Sequence, residues 1–375
     1  MLTTLFLVIP LALLAALLWW RRRAPRRGAG ASGSPAAQVA SARESRRTVS
    51  PAVVTGESAP IPPELSSLSL RGEDTLDEQD RALLERVCAE MGEPHPVQRQ
   101  LASGLDDPED LIEVVSSDAG ISADVLRTVN SAAFALMEPI TSVPQAVNYL
   151  GVNIVKGLVL RVTLRQSARA AEPAQEQALT HVWQSALATS AMARLLALEL
   201  GRPRPSVLGT QALFLNIGDV ALLRSVAGAD AWYRQGTVPV ERIRQQQEEC
   251  GLNAAIVGAA VVRRWGLPEG IGDAIARGWL PLGTGPGQHP LRGEAREDNV
   301  LLYLASRIGD RLAYHGLRDI AELDLTPGTD PSLYWLGAHL HAARLGRVTE
   351  LVYTPGFCRK ANRVLATFAA RGQGA

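Results

Sequence analysis

Helix-starting signals recur along most of this chain. In "DDPEDLIEVVSSD", Asp107 can cap a helix whose first residue is Pro108, where a missing N–H costs nothing. "SADVLRTVNSAAF" repeats the pattern with Ser122 as the cap, and "TSVPQAVNYLG" has a serine near a proline at its start and Gly151 at its end. No run alternates apolar and polar residues, and Asn-Gly and Asp-Gly hairpin signals are missing. The sequence predicts an all-α fold.

The first twenty residues, "MLTTLFLVIPLALLAALLWW", carry no charge. A helix over residues 2–20 would be about 28 Å long, which is enough to span a bilayer. The arginines of "RRRAPRR" follow this run, whereas a cleavable signal peptide has its positive charge before the apolar run. Arginines beside a span stay on the cytoplasmic side, and Trp19 and Trp20 would lie at the interface. We expect a single-pass anchor in the inner (cytoplasmic) membrane, with the globular part in the cytoplasm.

Composition divides the remainder of the chain. Residues 21–63 are rich in Arg, Ala, Ser and Pro and have few large apolar side chains, which predicts a flexible tether. A leading helix is expected over 64–91, a main helical domain over 92–285, and a C-terminal helical extension over 286–375. A Gly- and Pro-rich loop over 278–298 precedes the helical stretches of the extension. The sequence leaves open whether the extension covers the main bundle or forms a small satellite.

Charge and cysteine usage narrow the function classes. The chain has 38 basic and 38 acidic residues, but eight arginines and two glutamates fall in residues 21–60, so the globular part is acidic. Nucleic-acid binding needs clustered cations on the binding domain, and no nucleic-acid partner is expected. The odd number and wide spacing of Cys88, Cys250 and Cys358 fit neither a disulfide framework nor a CxxC metal site. These cysteines are predicted to be buried, reduced thiols.

Five motifs follow one another between about residues 92 and 281. They are "PHPVQRQLASGLDDPEDLIEVVSSDAGISADVLRTVNSAAF", "ITSVPQAVNYLG", "HVWQSALATSAMARLLA", "ALFLNIGDVALL" and "VGAAVVRRWGLPEGIGDAI". In this order they resemble the HDOD family, a catalytically degenerate relative of the HD-domain phosphohydrolases. The resemblance implies an HD-like multi-helix bundle and makes residues 92–285 an HDOD-like domain. The N-terminal transmembrane helix and the extra C-terminal helices lie outside the family's core pattern.

The metal-binding positions of an HD site differ in this sequence. An active site of that class holds a divalent metal with an upstream His, an adjacent His-Asp pair and a distal Asp. By the resemblance, the upstream His position matches Gln184, the His-Asp pair matches Leu215 and Asn216, and the distal Asp matches Ser306. A leucine cannot bind a metal, and neutral side chains are poor replacements for carboxylates. We therefore expect no metal, no cofactor and no catalytic residue.

Relocated ligands are the alternative. His181 precedes Gln184 by three residues, while Asp219 and Asp310 lie close to the other degenerate positions. The simpler interpretation makes Asp219 a solvated carboxylate and places Asp310 with Arg307 and Arg311 on an exposed charged face.

Other candidate residues are expected to have structural roles. The histidines of "HLH" (339–341) fall on different helix faces, which favours a surface or core role over a ligand pair. Asn130 and Ser131, at a helix end, are expected to bond backbone groups locally. In "RRWGLP", Gly266 ends a helix and Trp265 packs, with partner binding as the second interpretation. The family-motif residues with a structural or interaction role are Asn130, Ser131, Gly151, Trp183, Gly218, Trp265 and Pro268.

Together with the resemblance, these observations predict a membrane-anchored, non-enzymatic signalling or regulatory module. The resemblance implies a bacterial signal-transduction protein. It would act by binding a protein or a small molecule, and its protein signalling partner is unknown. The alternative is an HD-type metal-dependent phosphohydrolase with relocated ligands, acting on a nucleotide or a phosphorylated signal.

Overall fold

The computed structural model describes residues 60–105, 107–130, 139–166, 172–326 and 330–369. These ranges contain α-helices and short 3-10 helices and no strand, which confirms the all-α prediction. The predicted anchor at residues 1–20, most of the tether and Ser131 lie outside the described residues. Within the described ranges, Pro205–Ser225 is the one stretch with the length and composition to cross a membrane, and 72% of its window is buried inside the protein.

Helices α1 to α9 are Pro63–Ser66, Glu78–Glu90, Pro96–Ala102, Pro108–Ser116, Ala119–Val129, Val143–Leu150, Val152–Gln166, Pro173–Glu199 and Pro205–Phe214. Helices α10 to α18 are Ile217–Ser225, Pro239–Cys250, Ala254–Arg264, Glu269–Ala276, Leu280–Gly283, Gly293–His315, Leu336–Ala342, Val348–Leu351 and Pro355–Ala369. Single 3-10 turns are Glu73–Thr75, Ala229–Tyr233, Pro286–Gln288, Ile320–Glu322 and Pro331–Leu333.

Side-chain caps set several helix starts. Asp107 accepts a hydrogen bond from the Glu109 N–H at 2.7 Å, and Ser142 accepts one from Gln145 at 3.3 Å. The prediction of Ser122 as a cap is wrong, because α5 begins four residues earlier than expected, after Asp118, which accepts from the Ile121 N–H at 2.9 Å. Asp118 thus provides the cap.

The leading helix expected over 64–91 is interrupted in the structure. It divides into α1, a 3-10 turn and α2, and residues 63–75 form a strap across α11. The Arg71 N–H donates to Gln247 Oε1 at 2.9 Å, and the Arg71 guanidinium donates to the carbonyl of Gly251 at 2.7 Å. Asn253 returns a hydrogen bond to the Arg71 carbonyl at 3.1 Å. Hydrogen bonds of the Arg71 backbone and side chain therefore hold the strap against α11 and the residues that follow it.

Helix α15 packs along the 27-residue helix α8, and this pair forms the centre of the bundle. Gly309 permits the close approach, because a Cβ there would lie 2.2 Å from Thr189 Oγ1 and 2.6 Å from the Ser185 carbonyl. Helix α15 begins at Gly293, inside the segment 278–298 that the sequence predicts to be a loop. Helix α18 also packs on α8. The C-terminal extension covers the main bundle and is not a satellite.

Several family-motif residues have clear packing roles. A Cβ at Gly218 would lie 1.9 Å from the Ala254 carbonyl oxygen, so the glycine lets α10 contact α12. Trp265 is buried and donates its indole N–H to the Gly92 carbonyl at 2.8 Å. Trp183 is buried in α8, and Pro268 is the exposed N-cap of α13. Gly151 ends α6 with a φ of +84°.

Asn130 lies at the C-terminal end of α5. Its side-chain amide donates to the Ile140 carbonyl and accepts from the Ile140 N–H, each at 2.7 Å. The same amide also lies 3.0 Å from the Leu126 carbonyl oxygen. Asn130 therefore joins the end of α5 to the residues just before α6, as a local backbone-bonding role requires.

The prediction that the cysteines are buried holds for one residue of three. Cys88 is buried, and burial raises the pKa of its thiol to about 11. Cys250 and Cys358 are partly exposed, so the expectation that they are buried is wrong. All three are free thiols.

Candidate functional site

A pocket opens at the junction of α9 and α10. Its mouth is formed by Leu215, Asn216, Trp279 and Ser306, all half-buried. Its empty space is about 380 Å³, including the part of the mouth that is open to solvent. Helices α10, α11, α12, α13 and α15 supply the walls. Three of the four degenerate HD positions therefore lie at one mouth.

Four charged side chains form the floor of this pocket, and we call them the charged floor: Asp219, Arg242, Arg307 and Asp310. Each of these side chains is at most 6% exposed. Arg242 Nη2 lies 2.9 Å from Asp310 Oδ2, and Arg307 Nη1 lies 3.2 Å from the same oxygen. Arg242 Nε lies 3.9 Å from Asp219 Oδ1. Two guanidinium groups and two carboxyl groups are thus buried side by side in the pocket floor.

Asp310 is held as a carboxylate. Burial acts to raise its pKa, but Arg242, Arg307 and a 2.7 Å hydrogen bond from the Ser185 hydroxyl outweigh burial and lower that pKa. Ser185 is on α8 and Asp310 is on α15, so the close contact at Gly309 brings the two together. The carboxylate of Asp310 is therefore paired with two guanidinium groups.

Asp219 has weaker compensation. Burial raises its pKa, and Arg242 and a hydrogen bond from the Tyr233 hydroxyl only partly oppose that rise. The Tyr233 hydroxyl donates to Asp219 Oδ1 at 2.9 Å, and Gln246 Nε2 approaches the same oxygen at 3.5 Å. Gln246 also donates to the Tyr233 hydroxyl at 3.0 Å. The carboxyl group is fixed by a neutral network more than by a close ion pair.

Aromatic rings enclose both guanidinium groups. The Arg242 Cζ atom lies over Tyr314 at 5.0 Å and over Tyr233 at 5.6 Å from the ring centroids. The Arg307 Cζ atom lies 5.0 Å from the centroids of Trp279 and of Tyr303. Such contacts favour a buried cation through the ring quadrupole. The aromatic rings therefore hold the two guanidinium groups of the charged floor in place from several sides.

The expectation that these charges are exposed is wrong. Asp219 is not a solvated carboxylate, and Asp310 and Arg307 are not on an exposed charged face, because all three are buried in the pocket floor. Arg311, predicted on the same face, differs from them. Its side chain is 27% exposed and pairs with Asp330 at 3.1 Å.

Gln184 is the degenerate position that does not line the pocket. It is buried in α8, and its amide donates to the Phe368 carbonyl of α18 at 3.2 Å. His181, the candidate replacement ligand one turn earlier, has Nδ1 at 3.3 Å from the Tyr233 carbonyl and its ring edge against Tyr314. His339 of "HLH" is buried, with Nε2 at 2.7 Å from the Thr284 carbonyl, while His341 is exposed.

The donor set of the pocket does not fit a divalent metal. The described residues contain no group of three His, Cys, Asp or Glu side chains placed to share an ion. Asp310 already contacts two guanidinium groups, and a divalent cation would have to displace or approach those positive charges. Leu215 offers no donor atom, and Asn216 and Ser306 offer no charge.

The sequence interpretation missed Arg242 and its neighbour Gln246. They are four residues apart on α11 and so share one face. Val240 and Ile243 beside Arg242 are both buried, and these apolar residues were the available signal that this face turns inward. An arginine in "VERIRQQQEEC" ordinarily indicates a solvated helix, and its partner Asp310 is 68 residues away.

Comparison with solved structures gives distant likenesses. A protein from Shewanella amazonensis SB2B, provisionally assigned as a phosphohydrolase, is 18% identical with a TM-score of 0.46, covering 77% of this chain and 98% of that one. An HDOD domain protein of unknown function from Geobacter sulfurreducens is 16% identical with a TM-score of 0.44, covering 89% and 99%. No curated protein matches this chain.

The family assignment rests on the sequence itself. Residues 95–281 match the HDOD domain, which is about half of the chain and includes the mouth residues Leu215, Asn216 and Trp279. The match ends before α15, which supplies Ser306, Arg307 and Asp310 to the same pocket. The resemblance seen in the five ordered motifs is confirmed, and the chain is a member of the HDOD domain family.

Proposed function

We propose that this chain is a non-enzymatic signalling module that acts by binding a small molecule or a protein partner. The observation that carries the proposal is the pairing of Asp310 with Arg242 and Arg307 in the pocket. These guanidinium groups supply the positive charge that a carboxylate in an HD-type pocket would otherwise share with a metal ion. The pocket then has a charged floor suited to binding, and no set of metal ligands suited to hydrolysis.

Membrane anchoring is part of the proposal. Its support is the uncharged run of residues 1–20 followed by five arginines within residues 21–27. We expect the globular part to lie in the cytoplasm, where an unidentified protein signalling partner would meet it. A reporter enzyme that works only in the cytoplasm, fused after Arg27, should be active. Activity of a reporter that works only outside the cytoplasm would contradict this orientation.

A specific observation keeps the hydrolase alternative testable. Asp219 and Asp310, two candidate relocated ligands, both line the pocket. In that alternative a metal would exchange with the Arg242 contact and support hydrolysis of a nucleotide or a phosphorylated signal. Because Arg242 is buried among aromatic rings, such an exchange would require it to leave a well-packed position.

One experiment separates the two functions. The protein is incubated with manganese, iron or zinc, freed of loosely bound ions, and analysed for metal content and for phosphodiesterase and nucleotidase activity. We expect less than one equivalent of metal and no turnover above the control. The control is the Asp219→Ala variant, which lacks the candidate ligand. Stoichiometric metal, together with turnover that disappears in Asp219→Ala, would establish the hydrolase instead.

A further inference from the structure

The two arginines of the charged floor have hydrogen-bond donors that the protein leaves unused. A guanidinium group has five N–H donors. In the described part of the chain, Nε and Nη1 of Arg242, and Nε and Nη1 of Arg307, are buried without a hydrogen-bond partner. Buried donors are nearly always satisfied in folded proteins, and no protein group satisfies these four nitrogen atoms, so they are available to an acceptor that enters the pocket.

The neighbouring carboxyl groups do not accept hydrogen bonds from these four nitrogen atoms. Asp310 Oδ1 accepts from Ser185, and Oδ2 accepts from Arg242 Nη2. Arg307 Nη1 lies 3.2 Å from Oδ2 but is not aligned for a hydrogen bond. Asp219 Oδ1 is 3.9 Å from Arg242 Nε, which is too long for one. The four donors therefore remain unused beside both carboxyl groups of the floor.

We propose that this pocket binds a small oxyanion, a carboxylate or a phosphate group, attached to an apolar or aromatic body. The oxyanion would accept hydrogen bonds from Arg242 and Arg307, and the body would contact Leu215 and Trp279 at the mouth. The inference rests on the proposed function, in which the pocket binds a ligand and does not hydrolyse it. It names the chemical class of that ligand.

The charges of the floor and the side chains of the mouth both support this class. Asp310 is a single close counter-charge for two guanidinium groups, so an oxyanion would supply the second. Guanidinium groups bind carboxylates and phosphates with paired, charge-assisted hydrogen bonds. The half-buried Trp279 offers an aromatic wall, and Asn216 offers an amide at the same mouth.

The test uses the full-length chain and four probes. Phenyl phosphate and benzoate carry an oxyanion on an aromatic ring, benzyl alcohol is the neutral counterpart, and inorganic phosphate lacks the ring. Titration calorimetry should give at least tenfold tighter binding for one of the aromatic oxyanions than for benzyl alcohol and for inorganic phosphate. The tighter of phenyl phosphate and benzoate identifies the oxyanion. Equal affinity for benzyl alcohol and both aromatic oxyanions would overturn the inference.

Two variants locate the binding. Arg307→Gln removes two of the unused donor atoms, and Leu215→Trp fills the mouth without removing a charge. Each should weaken binding of the preferred probe at least tenfold. The matched control is Arg277→Gln, which removes an arginine whose side chain is 45% exposed and should leave the affinity within twofold. If Arg307→Gln fails to fold, the affinity of the Leu215→Trp variant for the preferred probe tests the location of binding. Unchanged affinity in folded Leu215→Trp overturns the assignment to this pocket.

Failure of this inference can be told from failure of the proposed function. Metal-dependent release of phenol from phenyl phosphate would overturn the binding-only function, and the oxyanion pocket would stand if the variants also lose affinity. Absence of both turnover and oxyanion preference would overturn the ligand class and leave the binding-only function in place.

Discussion

Arg242 Nη2 lies 2.9 Å from Asp310 Oδ2, and the two side chains are 2% and 6% exposed. The residues belong to α11 and α15 and are 68 positions apart in the chain. A buried pair of this kind contributes little net stability when it is complete, since desolvation offsets the attraction, but losing one partner leaves an uncompensated charge. The pair therefore makes the docking of α11 on α15 sensitive to either charge.

Replacing Asp310 with Asn should destabilise the protein by about 3–5 kcal/mol, because Arg242 and Arg307 would share no close carboxylate. Urea denaturation followed by circular dichroism measures the loss. Asp273→Asn is the matched control: its carboxylate pairs with Arg277 at 3.0 Å, but the side chain is 47% exposed. That change should cost at most about 1 kcal/mol. A similar small cost for Asp310→Asn would show that the floor tolerates unpaired arginines.

Asp219→Asn should alter the pH dependence of stability. Burial raises the pKa of Asp219 above its ordinary value of 3.8, so its contribution to stability is fully present below 3.8 and is lost as pH rises through the raised value. Asparagine does not ionise, and the variant escapes that loss. The free energy of unfolding of the wild type minus that of the variant should therefore fall as pH rises above about 3.8.

Denaturation series at half-unit pH steps from about 3.5 to about 7 give this difference directly. Contributions from other carboxyl groups are common to both proteins and cancel where they do not contact residue 219. A difference that increases with pH would mean that the pKa of Asp219 is lowered in the folded protein.

Asn130→Ala should cost about 1–3 kcal/mol, because it removes two hydrogen bonds to the backbone of Ile140. Asn148, exposed on α6, is the matched control, and Asn148→Ala should leave stability unchanged or slightly raised in a helix. Thermal unfolding of the two variants provides the comparison. Equal melting temperatures would show that the Asn130 amide contributes nothing.

Gly218→Ala should destabilise by about 1–3 kcal/mol, because the new methyl group would lie 1.9 Å from the Ala254 carbonyl oxygen and force α10 away from α12. At Gly337, within α16, a Cβ would meet no atom within 4 Å, so Gly337→Ala should stabilise by about 0.5–1 kcal/mol. The Gly→Ala change should therefore alter the free energy of unfolding with opposite signs at the two helical positions. Urea midpoints measure both, and the same sign would refute the close-contact explanation.

Local signals are sufficient for much of the fold. Asp107, Ser142 and Gly151 act where cap and stop rules place them, because those rules concern groups within four residues. The start of α5 is mispredicted because Asp118 and Ser122 are both good caps one turn apart. Only packing against neighbouring helices selects between two such residues.

The pocket is predictable only in part. Leu215 and Asn216 can be identified from their motif, but the burial of Asp219 and Asp310 cannot. Their nearest partners, Tyr233 at 14 residues and Ser185 at 125 residues, come from separate elements. The neighbouring residues in the sequence do not show whether a charged side chain faces water or another helix. Its burial is decided only when the helices of the bundle pack together.

Helix α15 lies wholly beyond the last residue of the family match, although it supplies Asp310 and contacts α8 at Gly309. We therefore expect the unit that folds autonomously to be longer than the matched residues 95–281. A fragment ending at residue 281 would expose one side of α8 to water and leave Arg242 without its nearest carboxylate. Recombination that moved this domain into another gene would have to carry α15 with it to yield a stable product.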